Sequence, residues 1–583
     1  MQQLSQIFVR QHPKMQCIAS ACTLALSMWS HNVAAAQPAP FSPDRSIPDQ
    51  QLLRQRERER SLREHLEEAP RTSLESQPSL STGRIPVDEH PCFTIHKVIL
   101  DGEQSKSFQW LVGVANREDD PAVGRCLGGK GISIVMARMQ NVLINKGYVT
   151  SRISADTQGL ESGVLHLTLA LGKVDHIGFA QGTAHKATSW NALPLKPGDI
   201  VNLRIIEQAL ENFKRVPTVD ADIQIVPGQS SDPNFGESDL VIKWQQQRKM
   251  RYLFSLDDSG SRSTGRLQAN ATWSWDDPLH LNDLFYVSVS RSVFDSRGDS
   301  HGYTVHYSLP FGYWLVGLTT SGYYYKQPVH MDSSFVNYWG RSANTELRIS
   351  RIVARTAHTK TGVYVRGWGR GSRNYLRDEQ ISLQHRVLVG WEAGMTYKQY
   401  LGAATIDASL GFRHGTGAFG SIRAPEEDLG EGTSRPQLYI GDIGLFVPFK
   451  IAKQNFQYTM DLRGQWNRNL LIAQDRFAIG GRFTVRGFDG ESTLTGDRGW
   501  LVRNDIKMDL GGNQQAYVGV DTGYVGGPSV RFGPGNRLAG AVLGLNGSYK
   551  TLSWDVFVGS SLWRPKTFVT DYTVTGFTLT TAF

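Results

Sequence analysis

Nowhere along its 583 residues does the chain carry an apolar run near the roughly 20 residues that a membrane-spanning helix needs. A helical membrane protein is therefore excluded. Charge of one sign is also scarce: 62 Lys plus Arg stand against 54 Asp plus Glu, and the excess of 8 is too small for this length to suggest nucleic-acid binding. Four Cys are too few for a disulfide scaffold. None of them sits in a CxxC or near a His cluster, so no metal site is expected. No HExxH occurs and no spacing supplies a Ser/His/Asp or paired-carboxylate set, so neither a catalytic residue nor an enzyme activity is expected. The segment Gly124-Arg-Cys-Leu-Gly-Gly129-Lys130 imitates a phosphate-binding loop, but Gly131 stands where a Ser or Thr must hold magnesium, and no cofactor is expected. What the chain does have is 59 Gly and 20 Tyr, 25 Phe and 14 Trp, the aromatics and Gly concentrated in its second half. A missing apolar run says nothing against a transmembrane β-barrel, whose strands alternate apolar with polar residues.

The N-terminus sets the compartment. Met1 to Gln16 carry Arg10 and Lys14 and no acid, Ile18 to Met28 is a short apolar run, and Ala34-Ala35-Ala36 offers a small-residue cleavage site. Residues 1–36 are read as a signal peptide. Its removal takes Cys17 and Cys22 and leaves Cys92 and Cys126, an even pair entering an oxidising space. A Cys92–Cys126 disulfide is expected, with two reduced core thiols as the alternative. In residues 37–91, a helix over about 46–68 opens with Ser46-Ile-Pro-Asp49 and continues with Arg and Glu, among which Leu52, Leu53, Leu62 and Leu66 are apolar. Pro70 stops it, and Arg71 to Pro91, rich in Ser, Thr and Pro, reads as a flexible tether. Such a helix is either a solvated segment without a task or one that lies in a polar lumen, where all-round charge is an advantage.

Two small α/β modules follow with the same order of elements. In residues 92–172, Cys92 to Leu100 reads as a strand, Ile132, Val135, Met139, Val142 and Leu143 mark one helix face that Gly147 ends, and Tyr148 to Ile153 and Val164 to Leu171 read as strands. In residues 173–247, a strand Val174 to Phe179 precedes the helical stripe Leu203, Ile206, Leu210 and Phe213, and strands Ala221 to Val226 and Leu240 to Trp244 close the module. From residue 248 to 583 the texture changes to alternation. Phe285, Val287 and Val289 alternate with Tyr286, Ser288 and Ser290, and Phe456, Tyr458, Met460 and Leu462 alternate with Gln457, Thr459, Asp461 and Arg463, which puts charge inward. Phe577, Leu579, Thr581 and the terminal Phe583 share a face, as in the C-terminal signal of a bacterial outer-membrane barrel. At about 21 residues per strand and connection, the region holds roughly 16 antiparallel strands.

This architecture resembles the TpsB transporters of two-partner secretion, the haemolysin secretion and activation family. The sharpest matches are Val485-Arg486-Gly487-Phe488, similar to the family's tetrad on a loop folded back into the barrel, and Gly519-Val-Asp521-Thr-Gly523, similar to its downstream strand motif. Ser274-Trp-Asp-Asp-Pro-Leu to Asn282-Asp283 and His306-Tyr-Ser-Leu-Pro-Phe-Gly312 are also similar to early-barrel segments. The resemblance implies a transmembrane β-barrel of about 16 antiparallel strands, preceded by two polypeptide-transport-associated (POTRA) domains and an N-terminal plug helix. It implies a Gram-negative outer-membrane location with the POTRA domains in the periplasm, and export of a secreted TpsA-type exoprotein: a haemolysin, adhesin or contact-dependent toxin. Outer-membrane lipid, the barrel-assembly machinery and periplasmic chaperones are the other implied partners. The alternatives are an outer-membrane protein assembly factor and a porin or receptor. Physically, an Arg fixed inside a barrel needs a carboxylate, and Arg486 with Asp521 is the expected pair, the two never meeting being the alternative. Gly487, Gly519 and Gly523 would then permit close backbone approach, and Phe488 would pack the loop tip. Ala221 to Val226 or Tyr148 to Ile153 are the edge strands on which an exoprotein segment would dock.

Overall fold

The computed structural model describes residues 47–67, 72, 74, 80, 83–155, 159–183, 187–228, 237–294, 298–331 and 334–583. The expected signal peptide lies outside them, as do Ser46 and Glu68 at the ends of the expected helix and much of the tether. Helix α1 runs over Ile47–Leu66 and ends in basic residues Arg63 and His65, which suit the negative end of a helix dipole.

In the first module, strands Lys97–Asp101, Val164–Ala170 and Arg152–Ser154 form a three-stranded sheet in that order. Helix Gly129–Asn145 lays Val135, Met139 and Leu143 on Val98, Leu100, Leu165, Leu167 and Leu169, all buried. The helix stops because Gly147 takes φ +97°, and the N–H groups of Gly147 and Tyr148 satisfy the Ile144 and Leu143 carbonyls. The sequence pattern misses the short helix Trp110–Ala115, which is apolar throughout and too short to show a period. The tether also needs correcting. Ile85 is buried in this module's core, and its N–H donates to Asp120, so the ordered module begins ahead of Cys92. A Cys92–Cys126 disulfide joins two short paired segments, with Cα atoms 5.3 Å apart.

The second module repeats the plan, with strands Val174–Phe179, Ser238–Gln246 and Val219–Pro227 in that spatial order. Its helix Leu203–Lys214 starts where the Asn202 side chain accepts the Arg204 N–H, and it buries Ile206, Leu210 and Phe213 against the sheet.

Sixteen long strands close the barrel, from Met250–Asp257 to Thr573–Ala582, with the two-residue segment Glu379–Gln380 added beside one of them. Closure is made by Leu253 to Asp257 pairing with Ala582 to Thr578, and Tyr252 and Phe583 extend it through reciprocal backbone bonds of 3.1 and 2.9 Å. Turns on the module side are short, such as Phe311–Trp314 and Ile451–Gln454, whereas the opposite end carries the long connections 417–436 and 468–497. Alternation is obeyed: on Gln514–Gly526, Val518 and Val520 face outward and exposed while Asp521 faces inward and buried.

Candidate functional site

Two segments occupy the lumen. The first is α1, whose long side chains reach the wall in several directions. Arg60 Nη2 lies 2.6 Å from Asp442, Glu57 accepts from Arg463 at 2.5 Å, and Arg63 pairs with Glu346. Tyr286 Oη donates to Glu67 at 2.9 Å, Arg54 donates to the Gly490 carbonyl and Arg56 to that of Gln474. Within the helix, Arg60–Glu64 and Arg63–Glu67 are i,i+4 pairs. Little apolar surface is engaged among its described side chains: Leu52, Leu53 and Leu62 are only half-buried, and Gln51, Gln55 and Leu66 are the buried ones. A cavity of about 690 Å³ runs between α1 and the wall.

The second segment is the loop Gly480 to Gly490, returning from the long connection 468–497. Val485 and Phe488 are buried with Ile479, Leu494, Leu501, Val525, Leu538 and Phe568, and the Phe488 and Phe568 rings meet edge to face at 5.7 Å. Beside them Arg486 makes a fork onto the wall: Nε lies 2.7 Å and the backbone N–H 2.9 Å from Asp521 Oδ2, and Nη2 lies 2.8 Å from Asp521 Oδ1. Two parallel charge-assisted bonds fix both position and orientation. Glycine makes the approach possible. Gly487 sits at φ +91°, and a Cβ on Gly519 would lie 2.6 Å from Arg486 Nη2, while one on Gly523 would touch Val485 at 3.0 Å.

The structure therefore brings Val485, Arg486, Gly487 and Phe488 against Gly519, Asp521 and Gly523. Sequence reading missed Asp505, which takes a second bond from Arg486 Nη2 at 2.6 Å. It also missed Gly540 and Gly559, since a Cβ on Gly540 would lie 1.9 Å from the Arg486 carbonyl and one on Gly559 would lie 3.1 Å from the Gly487 Cα. The inward alternation of Arg503, Asp505 and Lys507 on their strand is the only local signal for Asp505; which of these charges meets Arg486 depends on register with strands far away in sequence.

Elsewhere, the imitation phosphate loop is filled from within. Glu89 accepts the N–H groups of Gly128, Lys130 and Gly131 at the start of helix Gly129–Asn145. Partial burial works against its charge, but those three donors hold the Glu89 carboxyl below the usual range. Asp175, His176 and Asp239 cluster on the second module's surface, where they bond to one another. Gly298-Asp-Ser300-His-Gly302 spells GxSxG, but Ser300 lies along a barrel strand, buried beside Gln268, without the strand-to-helix turn that a nucleophile elbow requires.

The second module is fastened to the barrel's short turns. Glu207 and Glu211 of its helix take Arg355 at 3.3 and 2.9 Å, Glu211 also accepts from Lys360 at 2.5 Å, and Asn212 donates to the Gly312 carbonyl at 2.7 Å.

Comparison with known proteins agrees with this arrangement. Residues 236–547 match the family described as haemolysin secretion/activation protein ShlB/FhaC/HecB, residues 93–172 a ShlB-type POTRA domain, and residues 173–227 a POTRA domain. Outer membrane transporter CdiB-2 of Burkholderia pseudomallei is 32% identical over 94% of this chain and 97% of its own length. Haemolysin transporter protein ShlB of Serratia marcescens is 22% identical over 66% of the chain and 68% of its own. The solved structure of CdiB from Acinetobacter baumannii superposes with a TM-score of 0.82 at 32% identity, covering 93% of this chain and all of that one. These relatives are transporters rather than enzymes. The barrel lies in the outer membrane with its POTRA domains in the periplasm, and the chain belongs to the ShlB/FhaC/HecB family of haemolysin secretion/activation proteins.

Proposed function

We propose that the chain exports one large TpsA-type exoprotein, of the haemolysin, adhesin or contact-dependent toxin kind, through its barrel without ATP. The observation that carries this reading is the pair of lumen segments: a plug held by scattered, half-exposed charges beside a loop held by buried packing and a forked ion pair. An unfolded secretion domain would dock on the POTRA domains. Strand Val219–Pro227 has a partner on one side only among the described residues, and Arg152–Ser154 likewise ends its sheet, so either offers main-chain groups to an added strand. α1 would then leave, the chain would pass along the polar wall, and folding outside would bias movement outward. A wet, charged path suits an extended peptide, whose backbone groups need partners throughout.

The same reading divides the chain into a signal peptide at 1–36, plug and linker at 37–91, of which Ile85 and Glu89 already belong to the first module's packing, POTRA domains at 92–172 and 173–247, and the barrel at 248–583. Phe583 would serve as the barrel's recognition signal for the assembly machinery, after delivery by periplasmic chaperones. The role of the Arg486–Asp521 clamp is to hold the loop as one wall of the path.

Deletion of the gene, complemented in trans and followed by mass spectrometry of the supernatant and cell surface, tests the function. One very large exoprotein should vanish and return on complementation. Loss of many outer-membrane barrels would instead make the protein an assembly factor, and altered small-solute uptake alone would make it a porin or receptor.

A further inference from the structure

The second POTRA domain carries an exposed tryptophan at its junction with the barrel. Trp190 is 64% exposed, in a turn where the N–H groups of Ala192 and Leu193 return to the Ser189 carbonyl and where Asn191, Ala192, Leu193 and Leu195 are buried. Its position is fixed by its neighbour. Asn191 Nδ2 donates to the Leu281 carbonyl at 2.6 Å and the Pro310 carbonyl at 3.2 Å, its carbonyl accepts the Gly312 N–H at 2.7 Å, and its Oδ1 accepts from Asn282 at 3.0 Å. Every one of these partners lies in a periplasmic turn of the barrel or at its edge. So fastened, the Trp190 ring stands edge to face with Phe311 at 5.7 Å.

Phe311 belongs to the barrel's outer surface. It ends the outward-facing set of its strand and is 53% exposed, and Trp314 and Leu318 follow on the outward face of the next strand. Arg351, on the outward face of strand Ser334–Arg355, lies over the Trp314 ring at 4.9 Å. The outer wall is covered by lipid, since the barrel lies in the outer membrane. Trp and Tyr gather at the headgroup level of membranes because the ring is apolar and its N–H or O–H is wet. A long Arg beside them can keep its stem in the apolar layer while the guanidinium reaches a phosphate.

We infer that Trp190 is a lipid anchor of the second POTRA domain, extending the barrel's periplasmic aromatic belt through Phe311 and Trp314 into the headgroup and upper acyl region of the periplasmic leaflet, with Arg351 beside it as a phosphate contact. The occupant is glycerophospholipid. The barrel's own lipid-facing surface continues into the patch through the contact of the Phe311 and Trp190 rings at 5.7 Å. Such an anchor holds the domain that faces the incoming chain at one tilt above the lumen.

The test uses the full-length protein in phosphatidylethanolamine/phosphatidylglycerol vesicles, with Trp190→Cys carrying an environment-sensitive fluorophore. Leu318→Cys serves as the lipid-facing reference and Asp220→Cys, whose side chain is 84% exposed, as the aqueous one. Lipids brominated near the headgroup end of the acyl chain should quench the label at 190 about as well as at 318, and iodide should quench it several-fold less than at 220. Quenching by iodide as at 220, without quenching by brominated lipid, would overturn the inference. Protection from both quenchers would overturn it too, since it would show a protein surface covering the site. A second measurement needs no label: the emission of unmodified protein minus that of Trp190→Phe should be blue-shifted and lost in brominated lipid, and a red-shifted, unquenched difference would again contradict the anchor.

Discussion

The two occupants of the lumen are built on opposite principles. Helix α1 touches the wall through long, half-exposed charged side chains, and pairs such as Arg60–Asp442, with side chains 37% and 29% exposed, contribute about 0.2–1 kcal/mol each. Loop Gly480 to Gly490 buries Val485 and Phe488 completely or nearly so, and sets Arg486 between two carboxylates against a wall cleared of side chains at Gly519, Gly540 and Gly559. One arrangement comes apart contact by contact without leaving an isolated buried charge; the other does not. On the proposed export route a plug that leaves and a wall that stays would differ in this way, and no single buried or exposed ion pair conveys it.

The largest effect should come from Arg486→Ala. It takes the forked partner from Asp521, leaving it Arg503 at 3.9 Å and the backbone N–H, and removes the guanidinium bond to Asp505, a local penalty of at most about 3–5 kcal/mol. Secretion should fall sharply while heat-modifiable barrel remains in the outer membrane, as read by immunoblot of both fractions; normal secretion would remove the loop from the account. Gly540→Val should act in the same direction for a steric reason, since its Cβ would fall on the Arg486 carbonyl. Overpacking of this kind costs about 1–3 kcal/mol, and limited proteolysis should find the 480–490 loop newly accessible. A loop as protected as in the unmodified protein would show that the wall yields there.

A buried clamp outside the barrel sharpens the comparison through pH. Burial pushes the Asp120 carboxyl up, but the Ile85 N–H and the Arg138 and Arg125 guanidiniums outweigh it and hold the group below its ordinary value of 3.8. Its contribution to the first POTRA domain is therefore complete above that value and is lost as pH falls below it, through the depressed folded-state value. Asp120→Asn should flatten the acid limb of the thermal-stability profile; an unchanged limb would remove Asp120 as its source. The smallest effect belongs to α1. Arg60→Gln should leave stability almost unchanged yet raise the frequency of channel opening in planar bilayers, and high salt should raise the opening frequency of the unmodified protein, since screening weakens exposed pairs. An opening frequency indifferent to both would mean that charge does not hold the plug.

Much of this was legible in the sequence because it is periodic or local. Alternation such as Phe456, Tyr458, Met460 and Leu462 against Asp461 and Arg463 identified the barrel, and the 3.6-residue stripe of Leu203, Ile206, Leu210 and Phe213 identified the second POTRA helix. Arg486 with Asp521 was reached through motif resemblance and the physics of a fixed charge. What escaped depends on register and distant packing. Asp505 is one of several charges on its strand, Gly540 and Gly559 are two of 59 glycines, and Ile85 is one of four scattered apolar residues, with Leu74, Leu80 and Val87, in a Ser- and Pro-rich stretch, yet it completes a core. Trp190 escaped for the same reason, because its neighbour Phe311 lies on a separate domain.

The proposed export route requires α1 to leave the lumen while the loop stays. The most direct measurement bridges Arg60→Cys to Asp442→Cys with a short bis-maleimide in intact cells, and in a parallel strain bridges Asp489→Cys to Thr570→Cys, which pins the loop where Asp489 and Thr570 already share a hydrogen bond. Secretion should stop when α1 is pinned and continue when the loop is pinned, with both unbridged strains secreting normally. Export that continues with α1 pinned in the lumen would contradict the account.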